Sequence, residues 1–242
     1  LSNMQVLLDP GAISAYRSCV DQSFRLHRLV PLAVRELQQV RKKKTSIVGL
    51  SYEQRNELKN AIKTCAEHCV AKTNSSDHLR VAAENKESVS RAFIHLRVLE
   101  VLENCRDPHT GDMLDFSKMG VLQQSDASHG REYAGERGED RLDRIKFYSK
   151  ELIFECIRFV EFFCRGSDKN QQIMAPHVGL ILTFAGRGLH ATLAVSAIYQ
   201  NNLKLCRSLE ESSIARVVDV LSSGDRTIRS PRGSREDRRK PH

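Results

Sequence analysis

Apolar residues recur along most of this chain at helical spacing, and they do so in blocks separated by polar corners. Leu58, Ile62, Cys65 and Cys69 fall three to four residues apart. Ser51 precedes them with Gln54 three residues on, the pattern of a capping box, so a helix is predicted from Ser51. A second stripe, Leu142, Ile145, Tyr148, Leu152, Cys156, Phe159, Val160 and Phe163, is longer and stops at Gly166, placed as a left-handed helix cap. Few aromatics and no Trp fit a helical solenoid better than a β-sandwich.

Other blocks carry the same signal with more punctuation. Pro10 suits the first turn of a helix running to about Phe24, and Pro31 begins or bends the next, over Leu32, Val34, Leu37 and Val40. The segment Thr45 to Leu50 reads as a loop. After Thr73-Asn74-Ser75-Ser76, one helical stretch carries Val89, Phe93, Leu96, Val98, Leu99, Val101 and Leu102, ending near Asn104. Ser167 is predicted to cap a short helix through Met174. Pro176 starts another that buries Val178, Leu180 and Ile181, and Phe184 to Gly188 breaks the pattern. Helices over Leu193 to Leu205 and Ile214 to Leu221, closed by Gly224, complete the series.

Short helices joined by short turns predict an all-α, armadillo-like helical solenoid, in which each pair needs its neighbour to hide its apolar face. The expected organisation is a helical array over 1–104, a variable and largely disordered loop over 105–140, a helical core over 141–224 and a disordered basic tail over 225–242. The tract Gln123 to Asp140, rich in Gly and polar residues, is read as disordered, with Met113 to Leu122 a docked turn.

Composition fits this picture and narrows the function. At 242 residues and 40% hydrophobic content, the chain can bury a sizeable core. It lacks a run of about 18 to 20 apolar residues and a signal-peptide plan, so a soluble segment facing the cytosol is expected. The chain begins at Leu1 without Met, and is read as a piece of something longer. Seven cysteines, Cys19, Cys65, Cys69, Cys105, Cys156, Cys164 and Cys206, lie within apolar patterns and read as reduced, mostly buried thiols. Much of the net charge of +8 falls in the tail from Arg226 to Lys240, with Arg41-Lys42-Lys43-Lys44 a second cluster. A solvated tail accounts for it, and no nucleic-acid partner is expected.

Candidate chemistry is sparse. Cys65, His68 and Cys69 share a helix face, but a closed zinc site needs a fourth ligand and only the unaligned His78 is near, so buried thiols beside a partly exposed His are expected. Phosphate-cradling, zinc-protease and nucleophile-elbow motifs are missing from the sequence. Neither an enzyme nor a cofactor is expected. Asn170, Gln171, Asn201 and Asn202 are polar positions in apolar surroundings. Their amides both donate and accept, which suits them to bracing helix ends, and His177 reads as a packed or capping histidine.

The run Phe162-Phe163-Cys164-Arg165-Gly166-Ser167-Asp168-Lys169-Asn170-Gln171, with His177 and then Asn201-Asn202-Leu203-Lys204-Leu205-Cys206, resembles the homology domain shared by inositol trisphosphate receptors and ryanodine receptors. The likeness runs from about Leu142 to Arg226, with support from Arg91 to Glu103, and is closest to the second copy in inositol trisphosphate receptors. It implies a segment of a tetrameric calcium-release channel at the endoplasmic reticulum or another intracellular store. That segment contacts neighbouring domains and passes ligand-induced displacement toward the pore. In the first copy, a Tyr-Arg-Lys triplet before Asn-Gln and an early-helix cation hold phosphates. Here the triplet positions are Ser167, Asp168 and Lys169, and Arg91 is the matching early cation, so only Lys169 and Arg91 remain as ligand-binding candidates. An anion beside a phosphate repels it, and inositol trisphosphate binding is not expected. The competing reading is a free-standing adaptor that holds a partner protein, its basic tail on acidic surfaces; the full reading frame would tell the two apart. A third, a ligand-binding module, would place clustered Lys and Arg around one cleft.

Overall fold

The computed structural model describes residues 10–42, 49–71, 73–116 and 138–209, with Glu211, Ile214, Ala215 and Val218 beyond them. Among these residues the chain is all-α, and its one β feature is an isolated antiparallel bridge between Arg106 and Met113. The helices are α1 (Pro10–Arg41), α2 (Tyr52–His68), α3 (Ser76–Arg91), α4 (Ile94–Asn104), α5 (Gly138–Lys146), α6 (Ile153–Cys164), α7 (Asp168–Met174), α8 (Val178–Leu182), α9 (Ala191–Tyr199) and α10 (Leu203–Arg207). A π-helical segment, Phe147–Leu152, runs into α6, and a 3-10 turn, Ala175–His177, leads into α8.

These elements stack in layers. Helix α1 covers α2, α3 and α4; α6 lies beneath α2 and α4; and α9 packs on the far side of α6, with α7 and α8 against it. One hydrophobic cluster runs through all of them, from Cys19 and Leu26 on α1 to Ala194 and Ile198 on α9. Helix α6 is buried nearly all round, and even Glu155 and Glu161 on it are covered. A helix apolar on every face has no solvent side, and so belongs inside a stack.

The capping box at Ser51 and Gln54 forms, and Leu58, Ile62 and Cys65 lie buried below it. Gly166 adopts φ +68°, the left-handed conformation that a residue without Cβ takes at little cost. Ser167 accepts from the Asn170 amide and opens α7, which ends at Met174. Val178, Leu180 and Ile181 are buried on α8.

Four boundaries differ from those read in the sequence. The two helices expected on either side of Pro31 are one, α1, with Pro31 inside it. Pro31 is exposed, so the carbonyl its ring displaces can be hydrated, while Leu26, Leu29, Val30, Ala33 and Leu37 bury on the opposite face. That burial offsets the proline's cost of about 3 kcal/mol.

The stretch from Val89 to Leu102 is broken into α3 and α4 by Phe93, at φ +54°. Phe93 and Leu96 are exposed, so they take no part in the stripe that predicted one helix. Similarly, Leu193 to Leu205 is split by Asn201 at φ +59°, because Asn202 caps a new helix instead of continuing the old one. Helix α5 begins at Gly138, inside the tract read as disordered, and Leu142, expected in the stripe, is exposed. Once α6 is docked, each added turn ahead of it needs only one residue fixed per hydrogen bond.

Residues 105–116 fold back as a turn in which Leu114 N donates to Cys105 O and Phe116 is buried. The rest of the expected loop up to 137, most of the segment from Ile214 to Gly224 and the basic tail lie outside the described residues.

Candidate functional site

The polar corner begins where α6 ends. Ser167 N donates to Cys164 O, Gln171 N to Ser167 O, and Asn170 Nδ2 to Phe163 O at 3.0 Å, so the last carbonyls of α6 are met within the corner itself. Lys86 on α3 donates to the Arg165 carbonyl, and burial lowers its proton affinity.

Gln171 reaches the other way. Its Nε2 donates to Ala197 O at 3.0 Å and to Gln200 O at 2.9 Å, both at the C-terminal end of α9. Its Oε1 accepts from Asn202 Nδ2 at 2.8 Å, while Asn202 Oδ1 accepts from Leu205 N and caps α10. A chain of neutral amides thus ties the starts of α7 and α10 to the end of α9, with every amide atom of Gln171 used. Asn170 and Asn202 are 2% and 6% exposed and Gln171 is fully buried, leaving no room for a ligand on them. Asn201 is exposed beside them and supplies the left-handed turn.

Cys164 is a buried thiol pushed up to about 12 by burial, which makes it a poor nucleophile. His177 takes the N-cap position of α8 without a side-chain cap bond. His95 stacks on Phe163 with ring centroids 5.6 Å apart, and burial first, then His177, lowers its proton affinity.

Arg91 and Lys169, far apart in sequence, meet on one carboxylate. Lys169 Nζ lies 2.9 Å and Arg91 Nε 3.0 Å from Glu87, whose carboxyl is held below its usual range by these two contacts, that of Lys169 first. Glu87 was not singled out in the sequence. Its i,i+4 spacing to Arg91 was a readable signal; its contact with Lys169, 82 residues away, was not.

The Cys65, His68 and Cys69 face points into the stack. Both thiols are buried, and the His68 ring lies 3.5 Å from Ser18 Oγ and 3.6 Å from Cys19 Sγ. His78 is engaged elsewhere, with Ser75 at the start of α3. Among the described residues no group of three or more His, Cys, Asp or Glu is arranged to hold a metal ion. Six of the cysteines are buried and Cys206 is exposed.

A second buried polar centre went unread in the sequence. Glu36 on α1, wholly buried, accepts from Leu50 N at 2.9 Å and from Tyr148 Oη at 2.8 Å. Arg144 Nε lies 2.8 Å from its other oxygen as an ion pair that lacks the alignment of a hydrogen bond. Burial, then the Glu36 charge, raises the Tyr148 phenol well above its ordinary value. A Cβ on Gly49 would collide with this carboxylate, which explains glycine there.

The family model of the RIH domain of ryanodine and inositol trisphosphate receptors matches residues 55–236. The chain belongs to this family. No curated protein and no solved structure matches it. The RIH match starts within α2 and runs through the corner and α10, and it identifies the chain as carrying a domain of channel receptors, a family that is not one of enzymes. No described helix is long and apolar enough to cross a membrane.

Proposed function

We propose that this RIH domain is a cytosolic coupling segment of a ligand-gated calcium-release channel, nearest to the second copy of the domain in inositol trisphosphate receptors. It acts at the endoplasmic reticulum or another intracellular store membrane, within a tetramer formed through the parent channel. Its work is mechanical: the helical stack is displaced as a body when ligand binds elsewhere, and neighbouring domains hand the shift to the pore.

The observation that carries this reading is the amide chain through Gln171, which closes on itself and is buried. Neutral, fully paired amides fix helices relative to one another and offer nothing to a ligand. The pairing of both Arg91 and Lys169 with Glu87 argues in the same direction, since one carboxylate already engages the two cations a phosphate would need. This supports reading the pair as a contact between α3 and α7 and not as an inositol trisphosphate site.

The test is Gln171→Leu in the channel that carries this segment, with agonist affinity and calcium release measured side by side. Retained affinity with diminished release is expected. Affinity lost in step with release, or release unchanged, would overturn the reading.

A further inference from the structure

Helix α2, the π-helical segment with the start of α6, and the turn before α9 line an open cleft of about 700 Å³. Lys59 and Lys63 stand one turn apart on α2. Lys150 comes from the π-helical segment, and Arg187 from the turn between Gly186 and Gly188, both with positive φ. Phe154 and Leu189 give it an apolar wall.

The two carboxylates that line this cleft are already engaged. Glu151 pairs with Lys59 at 2.7 Å and with Lys146 at 3.4 Å, and Glu155 pairs with Arg158 at 3.4 Å. Lys63 lies 4.0 Å from Glu67, at the outer limit of a contact. Lys150 and Arg187, both exposed, have no ion pair among the described residues. The field in the cleft is therefore positive after its own carboxylates are counted, and two of its cations stand unpaired among the described residues, whereas both cations of the Glu87 cluster share a carboxylate. A concave cationic surface with a low-dielectric wall concentrates anions, and its volume lies within the roughly 300–1,000 Å³ of small-molecule sites.

We infer that this cleft is a binding site for a small polyanion, a molecule bearing two or more phosphate or carboxylate groups. Arg187 supplies the planar fork that grips such a group with two N–H donors, and Lys63 and Lys150 supply point charges along the same cleft. The site is independent of the coupling role, and neither stands or falls with the other.

Calorimetric titration of the 242-residue chain with inorganic pyrophosphate, and separately with citrate, tests this at fixed ionic strength. One-to-one binding is expected, weakened at least about tenfold in Lys150→Glu/Arg187→Glu and unchanged in Arg91→Glu/Lys169→Glu. Pyrophosphate the tighter of the two assigns a phosphate-bearing ligand; citrate equal or tighter assigns a carboxylate. Should the charge-reversed chain lose its helical circular dichroism, Lys63→Ala/Arg187→Ala takes its place, with about threefold weakening expected. Equal affinity in parent and cleft variants, or heat from neither anion, overturns the proposal.

Discussion

The amide corner and the Glu36 centre are both buried, polar and shared between distant helices, yet they hold the stack by different means. In the Gln171 network neutral groups pair with neutral groups, and both polar atoms of its amide are engaged. At the other centre a full charge is buried, and Leu50 N, Tyr148 and Arg144 converge on it from three parts of the chain. A buried neutral amide loses little when taken from water if its partners are present; a buried charge depends heavily on each of its partners. The corner therefore sets geometry at modest energetic stake, and the Glu36 centre stakes far more on remaining closed.

The largest effect expected is from Glu36→Ala, which removes the acceptor of the Tyr148 hydroxyl and the Leu50 amide and the carboxylate that pairs with Arg144. A loss of about 3–5 kcal/mol is expected in denaturant unfolding. Gln171→Leu should cost less, about 2–3 kcal/mol, because it strands two carbonyls and the Asn202 amide but no charge. If the two losses come out in the opposite order, the contrast between a charged and a neutral centre fails. Gly166→Ala should cost about 1–2 kcal/mol, since the site is open and the left-handed backbone alone opposes a Cβ.

The distance between residues decides how much of each centre was legible. Asn170, Gln171 and Asn202 stood out as polar positions at the ends of apolar runs, and the capping role of Ser167 could be read from spacing. Glu36 sits among other polar residues on α1, and its partners are up to 112 residues away, so no local pattern marks it. The helix breaks at Phe93 and Asn201 were hidden for a related reason. Each depends on a single residue turning left-handed, and neither is the glycine that usually announces such a turn. Pro31, conversely, announced a break that core burial overrode.

Acidification gives a smaller and signed effect. His95 is buried with lowered proton affinity, so on passing below its ordinary value of 6.5 the unfolded chain takes up the proton first and stability falls. Glu87, also shifted down, adds stability that is present at neutral pH and fades as its carboxyl is protonated, screened by its exposure. His95→Leu should flatten the pH dependence of the unfolding midpoint between pH 7 and about 5 more than Lys169→Ala does. An equal flattening would make the exposed cluster as consequential as the buried ring.

The claim beneath these comparisons is that the stack moves as one body. Spin labels at exposed Leu79 on α3 and Leu193 on α9, with Cys206 changed to Ser, report its internal span in the channel that carries it. With agonist added, that distance should stay fixed while the distance from either label to a neighbouring domain changes. An internal change of more than about 2 Å on agonist binding would contradict the account.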